Sequence, residues 1–201
     1  MTINASDRTL GLISIWQVLR KLYWELWLIR STPDKLLVGV KPVDVLHLQD
    51  AGLYATVNAA STALALVDWL YHTVRNDQTL ETNLRSVVVG VNTKSDKDFL
   101  DFFREKNPSI NACHQICNAN KHFYLRKPDA KFKAMVFELV MKRPDGTTEI
   151  SSKAQIMRNG DNPDTAISAY QMLEGLASWW ESLLSDVGVP DREQFFPQPT
   201  P

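Results

Sequence analysis

The sequence predicts a mainly α protein, a bundle of four or five helices with a β-hairpin packed against it. Apolar residues recur at steps of three and four through long runs bounded by prolines. One stretch alone changes to two extended runs around Arg143-Pro144-Asp145-Gly146, and all six tryptophans fall in the helical runs. A chain of 201 residues has length for one domain with a substantial core, and residues 1–190 are expected to form it, with 191–201 as a disordered Pro-rich tail.

The first helix is expected at about 8–30. Its polar residues Ser14, Gln17, Lys21 and Glu25 lie three or four apart, so the spacing predicts a narrow wet stripe on a helix otherwise buried or packed on a partner. A second long helix follows Pro42, at about 43–76. Its centre, Asn58-Ala59-Ala60-Ser61-Thr62-Ala63, is rich in small residues and lets another helix approach closely. Ser86 to Val91 is β-branched and reads as a short strand, with helix or loop open as alternatives. Ser95, three residues before Asp98, starts a helix at 95–106, and Ser109 is the expected N-cap of another at 109–124. The hairpin spans about 131–157; alone it is marginal, so it must pack on helices or be joined by the 86–91 strand. Asn162-Pro163 is expected to open a last helix at 163–186, which Gly188 and Pro190 stop.

Composition excludes several function classes. The eight glycines are too far apart for a phosphate-cradling loop, and the N-terminal MTINASDRTL has no basic region followed by an apolar core, so no signal peptide is expected. No apolar run reaches membrane-spanning length, and two cysteines four residues apart fit reduced thiols, so a cytoplasmic protein with no membrane partner is expected. Net charge is −1, but nine Lys or Arg against four acids between 121 and 158 make that stretch +5. Arg126, Lys127, Lys131 and Lys133 within it are either a solvated patch or a phosphate-contacting surface.

The helix at 109–124 carries the most informative contrast. Ile110, Cys113, Ile116, Cys117 and Phe123 share one face; Asn111, His114, Gln115, Asn118 and His122 share the opposite one, with Lys121 at its edge. Amides and imidazoles without a carboxylate fit either a buried polar seam or a ligand-binding face. In the second helix Asp68, His72 and Arg75 share a face inside an apolar stretch. A buried Asp68 is expected, paired with Lys121 or His122, either as a register-fixing contact or as part of an acid–base constellation. The cysteines fall on the face opposite His122, so no metal site and no cofactor is expected.

Asp68-Trp69 in a long helix, Ile116-Cys117-Asn118-x-x-Lys121-His122, and a hairpin followed by a Trp-containing helix resemble a group of poorly characterised bacterial and phage proteins with DW and NxxKH signatures, over roughly residues 50–185. The chain also distantly resembles HEPN-type helical bundles, some of which are metal-independent ribonucleases or RNA-binding modules of toxin–antitoxin and phage-defence systems. Their Arg-then-His pattern is absent: Gln115, Ile116 and Cys117 stand where an Arg would precede His122, and the resemblance leaves Arg75 or Lys121 as the basic group. Two functions are therefore expected as alternatives. The first is a non-catalytic accessory protein, of a conflict system by resemblance, that self-associates or binds a protein partner through its Trp-rich first helix. The second is an RNA-binding protein or weak ribonuclease using Asp68, His72, Asn118, Lys121 and His122.

Overall fold

The computed structural model describes residues 11–32, 35–37, 42–121, 132–158 and 166–196. Among them are seven helices: α1 Ile15–Ser31, α2 Pro42–Arg75, α3 Gln78–Val87, α4 Asp96–Lys106, α5 Pro108–Lys121, α6 Ala169–Val187 and α7 Arg192–Phe195. Four strands accompany them: β1 Lys35–Leu37, β2 Phe132–Lys142, β3 Thr148–Arg158 and β4 Ile167–Ser168. The expected mainly α class with a hairpin is the observed one.

Local chemistry explains most of the boundaries. Ser14 and Gln17 form a capping box at the start of α1, and Ser95 accepts from the Asp98 amide at the start of α4. Gly188 closes α6 in the left-handed conformation, φ 79°, with its amide bonded back to the carbonyls of Leu184 and Ser185. Asn107, not the expected Ser109, caps α5: its side chain accepts from the amides of Ser109 and Ile110, while Pro108 takes the first helical position, where no amide is missed.

At 34 residues α2 is about 50 Å long, and it packs against α1, α3, α4, α5 and α6. Ala59, Ala60, Ala63, Leu66, Val67, Leu70 and Val74 turn into one core shared with Trp16, Leu19 and Leu22 of α1, Phe99 and Phe103 of α4, and Leu173, Ala177 and Trp180 of α6. Phe103 sits at the aromatic centre, 4.8 Å from Phe99 and 6.1 Å from both Trp179 and Trp180, ring centre to ring centre.

The sheet is antiparallel, with β3 between β2 on one side and β1 and β4 on the other. β2 and β3 pair from Phe132↔Arg158 to Lys142↔Thr148 around the expected turn, in which Gly146 takes φ 82° and the Arg143 amide donates to the Thr147 carbonyl. Arg143 also holds the buried carboxylate of Glu149 across the turn. Buried Ile156 of β3 joins the helical core.

Three sequence expectations need correction. The 86–91 segment is no strand: 86 and 87 end α3, whose Asp77 cap and buried Leu80 and Leu84 make it a helix, and Gly90 turns the chain toward α4. The third and fourth strands are β1 and β4 instead. The last helix begins at Ala169, because Ile167 and Ser168 first pair with β3. Finally, the tail does not begin at 191. α7 docks Phe196 edge-on to Trp16 and Tyr23, at 6.0 and 5.8 Å, while Arg192 donates to Glu181 at 2.6 Å.

Glu181 also accepts from the Tyr23 hydroxyl at 2.7 Å. Partial burial pushes its carboxyl up, but the Tyr23 and Arg192 hydrogen bonds and the Arg192 charge outweigh burial and hold it below its ordinary value of 4.5. The folded state thus binds this proton less readily than the unfolded chain. The stability it confers is present above pH 4.5 and lost as pH falls through the lower folded value. Glu181→Gln should show a shallower loss of stability on acidification than wild type in urea titrations; parallel curves would refute this assignment. In the core, Leu66→Ala should cost about 2–5 kcal/mol, whereas Val89→Ala, at a side chain 83% exposed, should stay within about 0.5 kcal/mol; denaturant midpoints read both.

Candidate functional site

The two polar segments singled out in the sequence lie on neighbouring helices. α5 inserts Ile110, Ala112, Cys113 and Cys117 into the bundle, and Cys117 Sγ lies 3.3 Å from Ser61 Oγ of α2. Both cysteines are free and buried. Burial, reinforced by Cys117 alongside, pushes the Cys113 thiol well above its ordinary range, so it stays protonated as a small apolar group rather than a nucleophile.

Asn111, His114, Gln115 and Asn118 are half-buried along the opposite face. Asn118 Nδ2 lies 3.3 Å from Nδ1 and 3.2 Å from Nε2 of His114, an i, i+4 contact along the helix. Lys121 ends α5, and its side chain, with His122, Arg126, Lys127 and Lys131, lies outside the described residues; Lys133 belongs to β2, but its side chain is likewise outside them. The structure therefore brings together His114 and Asn118 of the expected face.

Asp68 is not buried. Its side chain is 65% exposed and that of His72 62%, with Asp68 Oδ1 3.5 Å from His72 Nε2. The apolar residues around Asp68 in sequence, Leu66, Val67 and Leu70, point to the opposite side of α2, into the core. Arg75 leaves the expected triad: it donates to the hydroxyl of buried Tyr71 at 2.6 Å. The pair is solvated, and screening by water keeps it weak. Among the described residues no three His, Cys, Asp or Glu side chains converge as metal ligands.

The Trp-rich first helix was expected to meet a partner, but the sequence did not show which of its sides faces water. Of the expected wet stripe only Glu25 is buried, at 7% exposure, while Lys21 stays exposed and donates inward to both Glu25 Oε1 and Thr62 Oγ1 of α2, each at 2.5 Å. Glu25 Oε2 is buried without a hydrogen-bond partner among the described residues. In exchange, Trp24 and Trp27 are 59% and 55% exposed, and Leu28 is 46% exposed beside them. The two indoles meet edge to face at 5.2 Å. The i, i+3, i+4 spacing of Trp24, Trp27 and Leu28 was the available signal; it places three large apolar side chains on one face whichever way the helix turns.

A separate open cleft of about 460 Å³ lies between α3, α4 and α6, walled by Val88, Phe102, Trp179 and Leu183, with Lys106 and Asp186 among its lining. No helix among the described residues is long and apolar enough to cross a membrane. Compared with protein-family models, with curated proteins and with solved structures, the chain finds no match in any of the three.

Because the Asp68–His72 pair is solvated, Asp68→Ala should change stability by no more than about 0.5 kcal/mol. A loss above about 2 kcal/mol in urea unfolding would restore the buried-acid reading.

Proposed function

We propose that the protein is a non-catalytic interaction module that self-associates through the outer face of α1. The supporting observation is the orientation of that helix: a carboxylate is buried with one oxygen unpartnered while two tryptophans face water. Such an arrangement runs against both the desolvation cost of a carboxylate and the gain from burying an indole. It becomes favourable once a partner covers the indoles. Tryptophan is the side chain most enriched among residues that dominate binding energy, and the Trp24–Trp27–Leu28 patch offers on the order of 300 Å² of apolar surface. A second copy is the simplest occupant, since a net charge of −1 lets two copies approach without appreciable repulsion, and two-fold dimers are the commonest assemblies.

Light scattering coupled to size exclusion over a range of concentrations tests this reading. Wild type should pass from monomer to dimer as concentration rises. Trp24→Ala/Trp27→Ala should weaken the dimer at least about tenfold without loss of helicity, and without lowering the melting temperature measured at concentrations where wild type is monomeric, because Ala is the better helix former at an exposed site. A wild type that stays monomeric at its highest soluble concentration overturns the proposal.

A further inference from the structure

We infer that the cleft between α3, α4 and α6 binds a small aromatic zwitterion, of which a free aromatic α-amino acid is the simplest kind. Its lining lies on helices other than α1, so the site stands independently of self-association. The walls are built at helical spacing. On α6, Trp179, Ser182, Leu183 and Asp186 form one stripe along the cleft, and on α4 Phe102 and Lys106 are one turn apart. Val87, Val88 and Val89, at the carboxyl end of α3 and just beyond it, make the third side. Phe102, Phe103 and Trp179 run together as an aromatic surface, with successive ring centres 5.6 and 6.1 Å apart. The open space of about 460 Å³ beside these rings is of the size that small-molecule sites have, and it admits a planar ring.

The polar groups specify what the ring must carry. Among the described residues, Lys106 of α4 and Asp186 of α6 are the charged members of the lining, one of each sign. A ligand with a single charge therefore meets its own sign in the cleft, whereas a zwitterion finds a counter-charge for each of its groups. The Lys106 ammonium lies 6.0 Å from the Phe102 ring centre, so a cation already stands beside the aromatic surface, where a carboxylate joined to a bound ring can meet it. Asp186 lies in the last turn of α6, the negative end of that helix, and the turn carries no basic residue. The last turns of α3 and α4 carry Arg85 and Arg104 with Lys106 respectively. An ammonium beside Asp186 thus offsets both the carboxylate and the helix end, which no residue of the α6 turn does.

Titration of the isotope-labelled full chain, followed through its backbone amides by NMR, reads the site and the ligand together. The probes are L-phenylalanine, phenylpropionate, which lacks the ammonium, and phenethylamine, which lacks the carboxylate. L-Phenylalanine should saturate one site with a dissociation constant of about 1 mM or below and shift the amides of Val88, Val89 and Ser182. Each truncated probe should bind at least about tenfold more weakly, having lost one charge-assisted contact and kept the opposing wall charge. Asp186→Asn and Lys106→Met should each weaken L-phenylalanine by a similar factor; both side chains are exposed, so neither variant should melt below wild type. The absence of any saturable shift up to about 10 mM L-phenylalanine overturns the site, and so do saturable shifts confined to residues outside the cleft. Phenylpropionate binding as tightly as L-phenylalanine overturns the role of Asp186, and phenethylamine doing so overturns that of Lys106.

Discussion

The packing of α1 on α2 is the contact from which the rest of the structure follows. Ala59, Ala60 and Ala63 are fully buried where the two helices run together, and their small side chains let α1 bring Trp16, Leu19 and Leu22 into the common core. Close approach also selects what else must lie in the seam. Lys21 reaches Thr62 on α2, and Glu25 follows it inward, so an ion pair is carried into a partly dry interface. A buried carboxylate with one free oxygen adds little stability; it specifies register, and removing only one of its partners would leave a charge stranded. The rotation of α1 that satisfies this seam is the same rotation that leaves Trp24 and Trp27 in water.

The two polar constellations have different structural weights. On α5 the His114–Asn118 contact lies on a half-buried face above a core filled by Ile110 and Cys113. On α2 the Asp68–His72 pair is solvated, and buried Tyr71 between them in sequence supplies the anchoring. The α1 face, by contrast, carries large, rigid apolar side chains in water.

Elements whose signals are local were readable in advance. Ser95 capping α4, the Pro-Asp-Gly turn of the hairpin, Gly188 ending α6 and the apolar character of Cys113 and Cys117 each depend on residues a few positions apart. The misread elements depend on distant partners. Val87 and Val88 have strand-like side chains, yet the Asp77 cap upstream and Leu80 and Leu84 facing the core carry the helix to Val87. Phe195 and Phe196 lie in a Pro-rich tail, and only the aromatic surface of α1 makes a packed helix of that region.

Periodicity alone settles which residues share a face, and on that level the sequence determined the helices, the hairpin, the placement of all six tryptophans on helices and the division of α5 into polar and apolar sides. It does not settle which of two usable faces turns inward. α1 is apolar around most of its circumference, so burying Trp24 and Trp27 or burying Glu25 both satisfy a 3.6-residue repeat. Asp68 poses the same ambiguity within α2. Only the tertiary structure decided these cases, because the outcome depends on how closely α2 admits its neighbours and on partners 41 residues away, such as Thr62 for Lys21.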